Sequence, residues 1–232
     1  YRGWRQPSRC TIHTRLTVWG SFLLLAIGSL AFLAIEWSNP DTLGSQPFLE
    51  KIATSVEGGI MTRSGGLQSF DWALVRPETQ GIAVMMMFIG GGSASTAGGI
   101  KITTFLLLAF VILAELRGDP EVRIGRRSIS GRTVRTALSI ALIAVMLVVG
   151  GTLLLMLLSG ASYIDALFEV TSAFGTVGLS TGRTPELDAP AHLLLIGLMF
   201  VGRVGTIAAA SAFVLRRRQP RYHLPEEQPI IG

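Results

Sequence analysis

The chain has 232 residues, 49% hydrophobic and only 15% charged, with a mean hydropathy of +0.52. That balance is too apolar for an ordinary water-exposed domain and points to the bilayer as solvent. The formal charge of +5 leaves a nucleic-acid partner open on composition alone, but the placement of the charges, taken up below, decides against one.

In chain order, the first apolar run covers 16–37, long enough for a hydrocarbon core that takes about 20 mainly apolar residues to cross. A basic stretch precedes it and Glu36 and Trp37 follow without an Ala-x-Ala site, so it reads as a span and not as a signal peptide. The first residue is Tyr, and the chain is expected to begin inside a longer protein. A short amphipathic segment at 48–62 comes next and is too short to span. The run at 79–116 is far longer than one crossing and is interrupted by Gly90, Gly91, Gly92, Ser93, Ala94, Ser95, Thr96, Ala97, Gly98 and Gly99, which predicts a broken helix. Another crossing at 137–158, a second short segment at 163–174 and a last crossing at 192–215 complete the order. Cys10 is the only cysteine, which excludes an internal disulfide and a cysteine-based metal site.

Of the twenty Lys and Arg, fourteen fall in three groups: Arg2, Arg5, Arg9 and Arg15; Arg117, Arg123, Arg126, Arg127, Arg132 and Arg135; and Arg216, Arg217, Arg218 and Arg221. With four crossings these lie on one side, while the opposite connections carry Asp41, Glu50, Asp71, Glu78, Glu186 and Asp188. The bias is that of a multi-pass protein of the cell inner (plasma) membrane with both ends in the cytoplasm. The arginine groups are expected to be solvated or to meet anionic lipid, with no nucleic acid bound.

A shift of 112 residues superimposes Met87 to Gly90 on Met199 to Gly202, Glu57 on Glu169, and Ser64, Gly65, Gly66 and Leu67 on Thr176, Val177, Gly178 and Leu179, without a gap. One duplication explains these matches together. The expected fold is therefore an all-α polytopic membrane protein of two helix–pore-loop–helix repeats, resembling a potassium channel, with domains at 1–130 and 131–232. Irregular backbone at membrane depth is tolerated only where it is buried in protein or lines a water-filled cavity, so each glycine turn after a short helix implies a pore or a site.

A dehydrated potassium ion is held by oxygens of modest field strength, which rings of backbone carbonyls supply. Gly66 and Gly178 suit that role, as ligands to K+ through carbonyl oxygens, with Ser64 and Thr176 adding hydroxyls at the inner end. Glu57 and Glu169 lie in the short helices and are read as holding the filter from behind, for example through backbone amides or Arg63. The stretch 90–99 lacks the strand and the Gly-Lys-Ser or Gly-Lys-Thr ending of a phosphate loop, and reads instead as a movable barrier in the cavity. Arg203 aligns with Gly91 and sits inside the last apolar run, where a cation is costly and functional by default; it is expected either to raise the barrier to cations or to donate to carbonyls freed by the break. Lys101 closes the break, while His13, His192 and His223 sit near span ends.

On these residues the chain resembles the Trk/Ktr/HKT superfamily of potassium transporters, and within it the bacterial Trk and Ktr membrane subunits. The matching stretches are TRSGGLQS at 62–69, MFIGGGSASTAGGIKITT at 87–104, FEVTSAFGTVGLS at 168–180, MFVGR at 199–203 and PEEQPIIG at 225–232. The resemblance implies four covalently linked repeats around one pore, of which this chain is similar to the third and fourth. Gly66 and Gly178 become the last two filter glycines, 90–99 the gate and Arg203 its partner. It further implies two missing N-terminal repeats, a homodimer of complete pores and a cytosolic nucleotide-binding regulatory ring, with no cofactor beyond the transported potassium and possible sodium. Ser64, Gly65, Leu67 and Gln68 stand where the family usually shows Thr, Ala, Phe and Asn. Two repeats do not close a fourfold ring, so a two-repeat subunit that dimerises into one pore and a nonconducting membrane scaffold stay open; an enzyme is the least favoured reading.

Overall fold

The computed structural model describes residues 12–63, 65–92, 97–119, 121–125 and 127–205. The proposed filter residue Ser64, the loop residues Ser93, Ala94, Ser95 and Thr96, and the basic tail with Arg216, Arg217, Arg218 and Arg221 lie outside the described residues.

Seven α-helices among the described residues follow the expected order. The first, α1 (Ile12–Glu36), is 25 residues long and gives way at Asn39 to a short π-turn, Pro40–Gly44. Then come α2 (Phe48–Met61), α3 (Pro77–Phe88), α4 (Ile102–Arg117), α5 (Gly131–Ser159), α6 (Tyr163–Gly175) and α7 (Ala189–Phe200), which runs on into a π-turn at Val201–Gly205. The limits of α3 moved by 112 residues are those of α7, so the register read from the matched residues is also the register of these helices. One element is not helical: a two-residue hairpin pairs Arg123–Ile124 with Arg127–Ser128, which corrects the all-α expectation. Its buried Ile124 packs with Leu107 and Ala137 and so docks the α4–α5 connection onto the helices.

Local chemistry sets the boundaries. Pro77 and Pro190 stand in the first turns of α3 and α7, where a missing amide donor costs nothing. Ser130 and Ser162 cap α5 and α6 by accepting from the amides of Thr133 and Asp165. The C-terminal end of α1 is tied down by a buried carboxylate. Glu36, 0% exposed, accepts from Thr79 Oγ1 (2.6 Å), Thr42 Oγ1 (2.7 Å), Asn39 Nδ2 (2.6 Å) and the Arg76 amide (3.0 Å). A buried charge is tolerable only when so fully hydrogen-bonded.

The core is organised around α6, which packs on α3, α5 and α7. Val170, Ala173 and Phe174 meet Val148 and Leu155 of α5 and Leu195 and Leu198 of α7 in one cluster. On the other side Phe168 meets Trp72, with ring centroids 5.4 Å apart, in a cluster that also holds Phe32 and Met87. Two helices, His13–Glu36 and Gly131–Ser159, are long and apolar enough to cross a bilayer, and Ala189–Val204 is a shorter apolar helix. Large apolar side chains such as Trp19, Phe22, Met146 and Leu157 stand exposed on the two long helices.

Candidate functional site

The two short helices end in turns that meet each other. After α2, the Gly65 amide still reaches the Met61 carbonyl (3.2 Å), and Gly66 then takes a φ of +68°. After α6, the amides of Thr176 and Val177 turn back to the carbonyls of Ala173 (3.0 Å) and Ser172 (2.9 Å), and Gly178 takes a φ of +92°. Both glycines occupy backbone space that side chains disfavour. They also lie against each other: a β-carbon on Gly178 would come within 3.2 Å of Gly66 Cα, and one on Gly66 within 3.0 Å of the Val177 carbonyl oxygen. Gln68 Nε2 donates to the Ser180 carbonyl (3.1 Å), joining two positions 112 residues apart. The structure thus gathers Gly65, Gly66 and Leu67 with Thr176, Val177, Gly178 and Leu179.

The two turns are not supported alike. Leu179 is 2% exposed and Leu67 68%, because Val177 and Leu179 join the cluster of Phe32, Trp72 and Phe168 while the first turn has no such backing. Ser172 Oγ donates to the Leu179 carbonyl (2.6 Å). Glu169, 3% exposed, braces the segment beyond the turn: Oε1 accepts from Ser180 Oγ (2.7 Å), the Thr181 amide (2.9 Å) and Thr181 Oγ1 (3.2 Å), and Oε2 from Thr184 Oγ1 (2.6 Å). Its repeat mate Glu57 is half-buried, and no hydrogen bond or ion pair joins its side chain to another described residue. Arg63, one of the partners considered for the two glutamates, pairs with neither. Arg63 instead donates to the carbonyls of Ser21 on α1 (3.1 Å) and Gly90 (3.3 Å), where the helix break begins.

The break itself has a hydrogen-bonded neck. The Gly90 amide donates to the Ile100 carbonyl (2.8 Å), the Ile100 amide to the Phe88 carbonyl (3.1 Å) and the Ile102 amide to the Gly91 carbonyl (3.2 Å). Lys101 Nζ donates to the Ala97 carbonyl (2.6 Å), and the Gly98 amide donates across to α6, to the Gly175 carbonyl (3.2 Å) and Thr176 Oγ1 (3.0 Å). Gly92 lies close to Thr17 of α1. Arg203 is exposed and lines a large cavity, while Gly202 beside it is pressed against the Phe174 backbone; it has no hydrogen bond to a described residue of the break, whose residues 93–96 lie outside the described ones. Carbonyls at the break are met by Arg63 and Lys101 instead, although Arg203 is near enough for its charge to act on Lys101.

That cavity, of about 1310 Å3, runs past Thr176, Gly178, Glu169, Phe70, Leu195 and Arg203. Next in the chain to the cavity-lining Gly182 and Thr184, Arg183 pairs with Glu186 (3.0 Å) and Asp165 (3.5 Å). Ser172, Thr181 and Thr184 were not named as site residues from the sequence; the run of hydroxyls at 180–184, 11 to 15 residues after Glu169, is the signal that marks the latter two.

A family model described as TrkH, a cation transport protein, matches residues 7–223. The chain is 36% identical over 222 residues to the Ktr system potassium uptake protein B of Bacillus subtilis (strain 168), covering 96% of this chain and 50% of that protein. It is 32% identical over 234 residues to the protein of the same name from Vibrio alginolyticus (100% and 51%), and 32% identical over 237 residues to the potassium/sodium uptake protein NtpJ of Enterococcus hirae (99% and 52%). It thus spans about half the length of the curated relatives it matches. The crystal structure of the potassium transporter TrkH from Vibrio parahaemolyticus has the same fold, with a TM-score of 0.67 at 20% identity over 88% of this chain and 44% of that one. With the family model matched almost end to end, the chain belongs to the TrkH family of cation transport proteins.

Proposed function

We propose that this chain forms half of a membrane pore that takes up potassium, with Gly66 and Gly178 in the selectivity filter. The observation that carries the reading is the meeting of two equivalent turns, each at the C-terminal end of a short helix and each with a glycine at positive φ. Backbone carbonyls in such turns replace the hydration shell of a monovalent cation. The negative ends of the α2 and α6 dipoles favour a cation at the same place. In this reading α1 and α5 cross the bilayer, α2 and α6 enter and turn back, and α3 and α7 return along the pore, with one repeat in 1–130 and the next in 131–232. Both ends face the cytoplasm.

The filter comprises Ser64, Gly65, Gly66 and Leu67 with Thr176, Val177, Gly178 and Leu179, supported by Glu57, Arg63 and Glu169. The loop 90–99 together with the charge of Arg203 forms the barrier below it. The relatives are about twice as long as this chain, and two further turns of the same kind complete a ring of four. A homodimer of complete pores on a cytosolic nucleotide-binding ring is the assembly this family membership suggests. The test is uptake by the complete protein in cells without potassium uptake of their own, with and without competing sodium. Restored potassium accumulation that survives excess sodium supports the reading, and no accumulation despite normal membrane abundance contradicts it.

A further inference from the structure

Resting on the pore reading, we infer that Gly98, which lies outside both filter turns, determines ion selectivity by holding Thr176 in place. Thr176 is the only non-glycine residue at positive φ among the described residues, at +51°. A threonine stays in that region only where its surroundings over-determine it. Part of the constraint comes from α6, through the backbone bonds of Thr176 and Val177 to Ala173 and Ser172. A further part comes from the neck of the helix break. The Gly98 amide is aimed at both the Gly175 carbonyl and Thr176 Oγ1, so one donor spans the residue that ends the helix and the residue that starts the filter.

The approach needs glycine. A β-carbon on Gly98 would stand 2.8 Å from the Phe174 carbonyl oxygen and 3.0 Å from both Cγ2 and Oγ1 of Thr176. The backbone oxygen is fixed within α6 and does not swing aside as a flexible side chain would. Gly98 is fixed in turn by the Gly90–Ile100 and Ile100–Phe88 bonds, while a β-carbon on Gly175 would meet the Met87 carbonyl oxygen at 2.7 Å. The fourth filter turn therefore leans on the α3–α4 junction as well as on its own helix. Displacing Gly98 tilts Thr176 and with it the carbonyls that follow.

The competing role for Thr176 is a direct one, its hydroxyl facing the ion without help from the neck, and a mutant cycle separates the two. The complete protein is reconstituted in liposomes and the potassium-to-sodium permeability ratio measured for Thr176→Val, Thr176→Ser, Gly98→Ala and the Gly98→Ala/Thr176→Val double variant. Each of Thr176→Val and Gly98→Ala is expected to lower the ratio roughly fivefold, the effect of losing one hydrogen bond. The double variant falls no further than the worse single, and Thr176→Ser, which keeps the hydroxyl, retains most of the ratio. An unchanged ratio in Gly98→Ala, or single effects that multiply in the double variant, overturns the inference. Should Gly98→Ala not accumulate, hydrogen exchange of the Gly98 amide decides: several-fold faster exchange in Thr176→Val than in Thr176→Ser supports the link, and equal exchange overturns it. Gly178→Ser is run alongside. If it leaves the ratio intact, the pore reading falls and this inference with it; if it lowers the ratio while Gly98→Ala does not, this inference alone falls.

Discussion

Glu169 offers a quantitative test of how the proposed filter is held. Its four donors are of two kinds: the hydroxyls of Ser180, Thr181 and Thr184 can rotate to accept, whereas the Thr181 amide can only donate. In Glu169→Gln the amide oxygen stays with Thr181 and the new amino group faces Thr184, whose hydroxyl turns to accept from it. What is lost is the charge assistance, about 1–2 kcal/mol in total. Glu169→Ala leaves the Thr181 amide and neighbouring hydroxyls without a partner in a site only 3% exposed, which costs about 3–4 kcal/mol. Against a typical stability of about 5–15 kcal/mol the Gln variant should fold and the Ala variant should accumulate poorly. Thermal unfolding of the complete protein in detergent ranks the two. The permeability ratio of the Gln variant then reports on the proposed filter, since 180–184 continues directly from its second turn. An Ala variant as stable as the parent, with an unaltered ratio, would refute the reasoning.

The Glu36 knot predicts a loss of similar size for Glu36→Ala, about 3 kcal/mol or more, measured by the same unfolding assay, because Thr42, Thr79, Asn39 and the Arg76 amide all lose a buried acceptor. Arg183→Ala should leave the melting temperature unchanged. Its pairs with Glu186 and Asp165 raise the guanidinium above its usual value, but the side chain is half in solvent, where such pairs contribute little. Single cysteines at the exposed positions Ser128 and Asp188, in a background with Cys10 replaced by Ser, should label from opposite sides of the membrane. Labelling from one side would remove the four-crossing topology.

The long elements were legible in the sequence because apolar runs and glycine breaks are local signals. The runs at 16–37 and 137–158 are contained, within a residue, in α1 and α5, and the break at 90–99 falls between α3 and α4. The turn glycines were found through the repeat, which needs no structure to detect. What was not legible depends on distant partners. Glu36 is an ordinary helix-end acid until Thr79, 43 residues on, is folded against it. Arg63, considered as a partner for the helix glutamates, instead meets the carbonyls of Ser21, 42 residues back, and Gly90, 27 residues on. Lys101, read only as closing the break, reaches back to the Ala97 carbonyl and caps the neck, a contact that register alone does not reveal. The 123–128 hairpin is too short for an alternating pattern to announce it.

The central claim, that carbonyls at Gly66 and Gly178 select the ion, is tested most directly by the zero-current potential of the complete protein in a bilayer between potassium and sodium solutions. A side chain at Gly178 must intrude on Gly66 and abandon the +92° backbone angle. In Gly178→Ser the account predicts a potential that shifts toward zero, as preference for potassium over sodium is lost while protein abundance holds. A potential that stays at the parent value in a variant carrying normal current would contradict it.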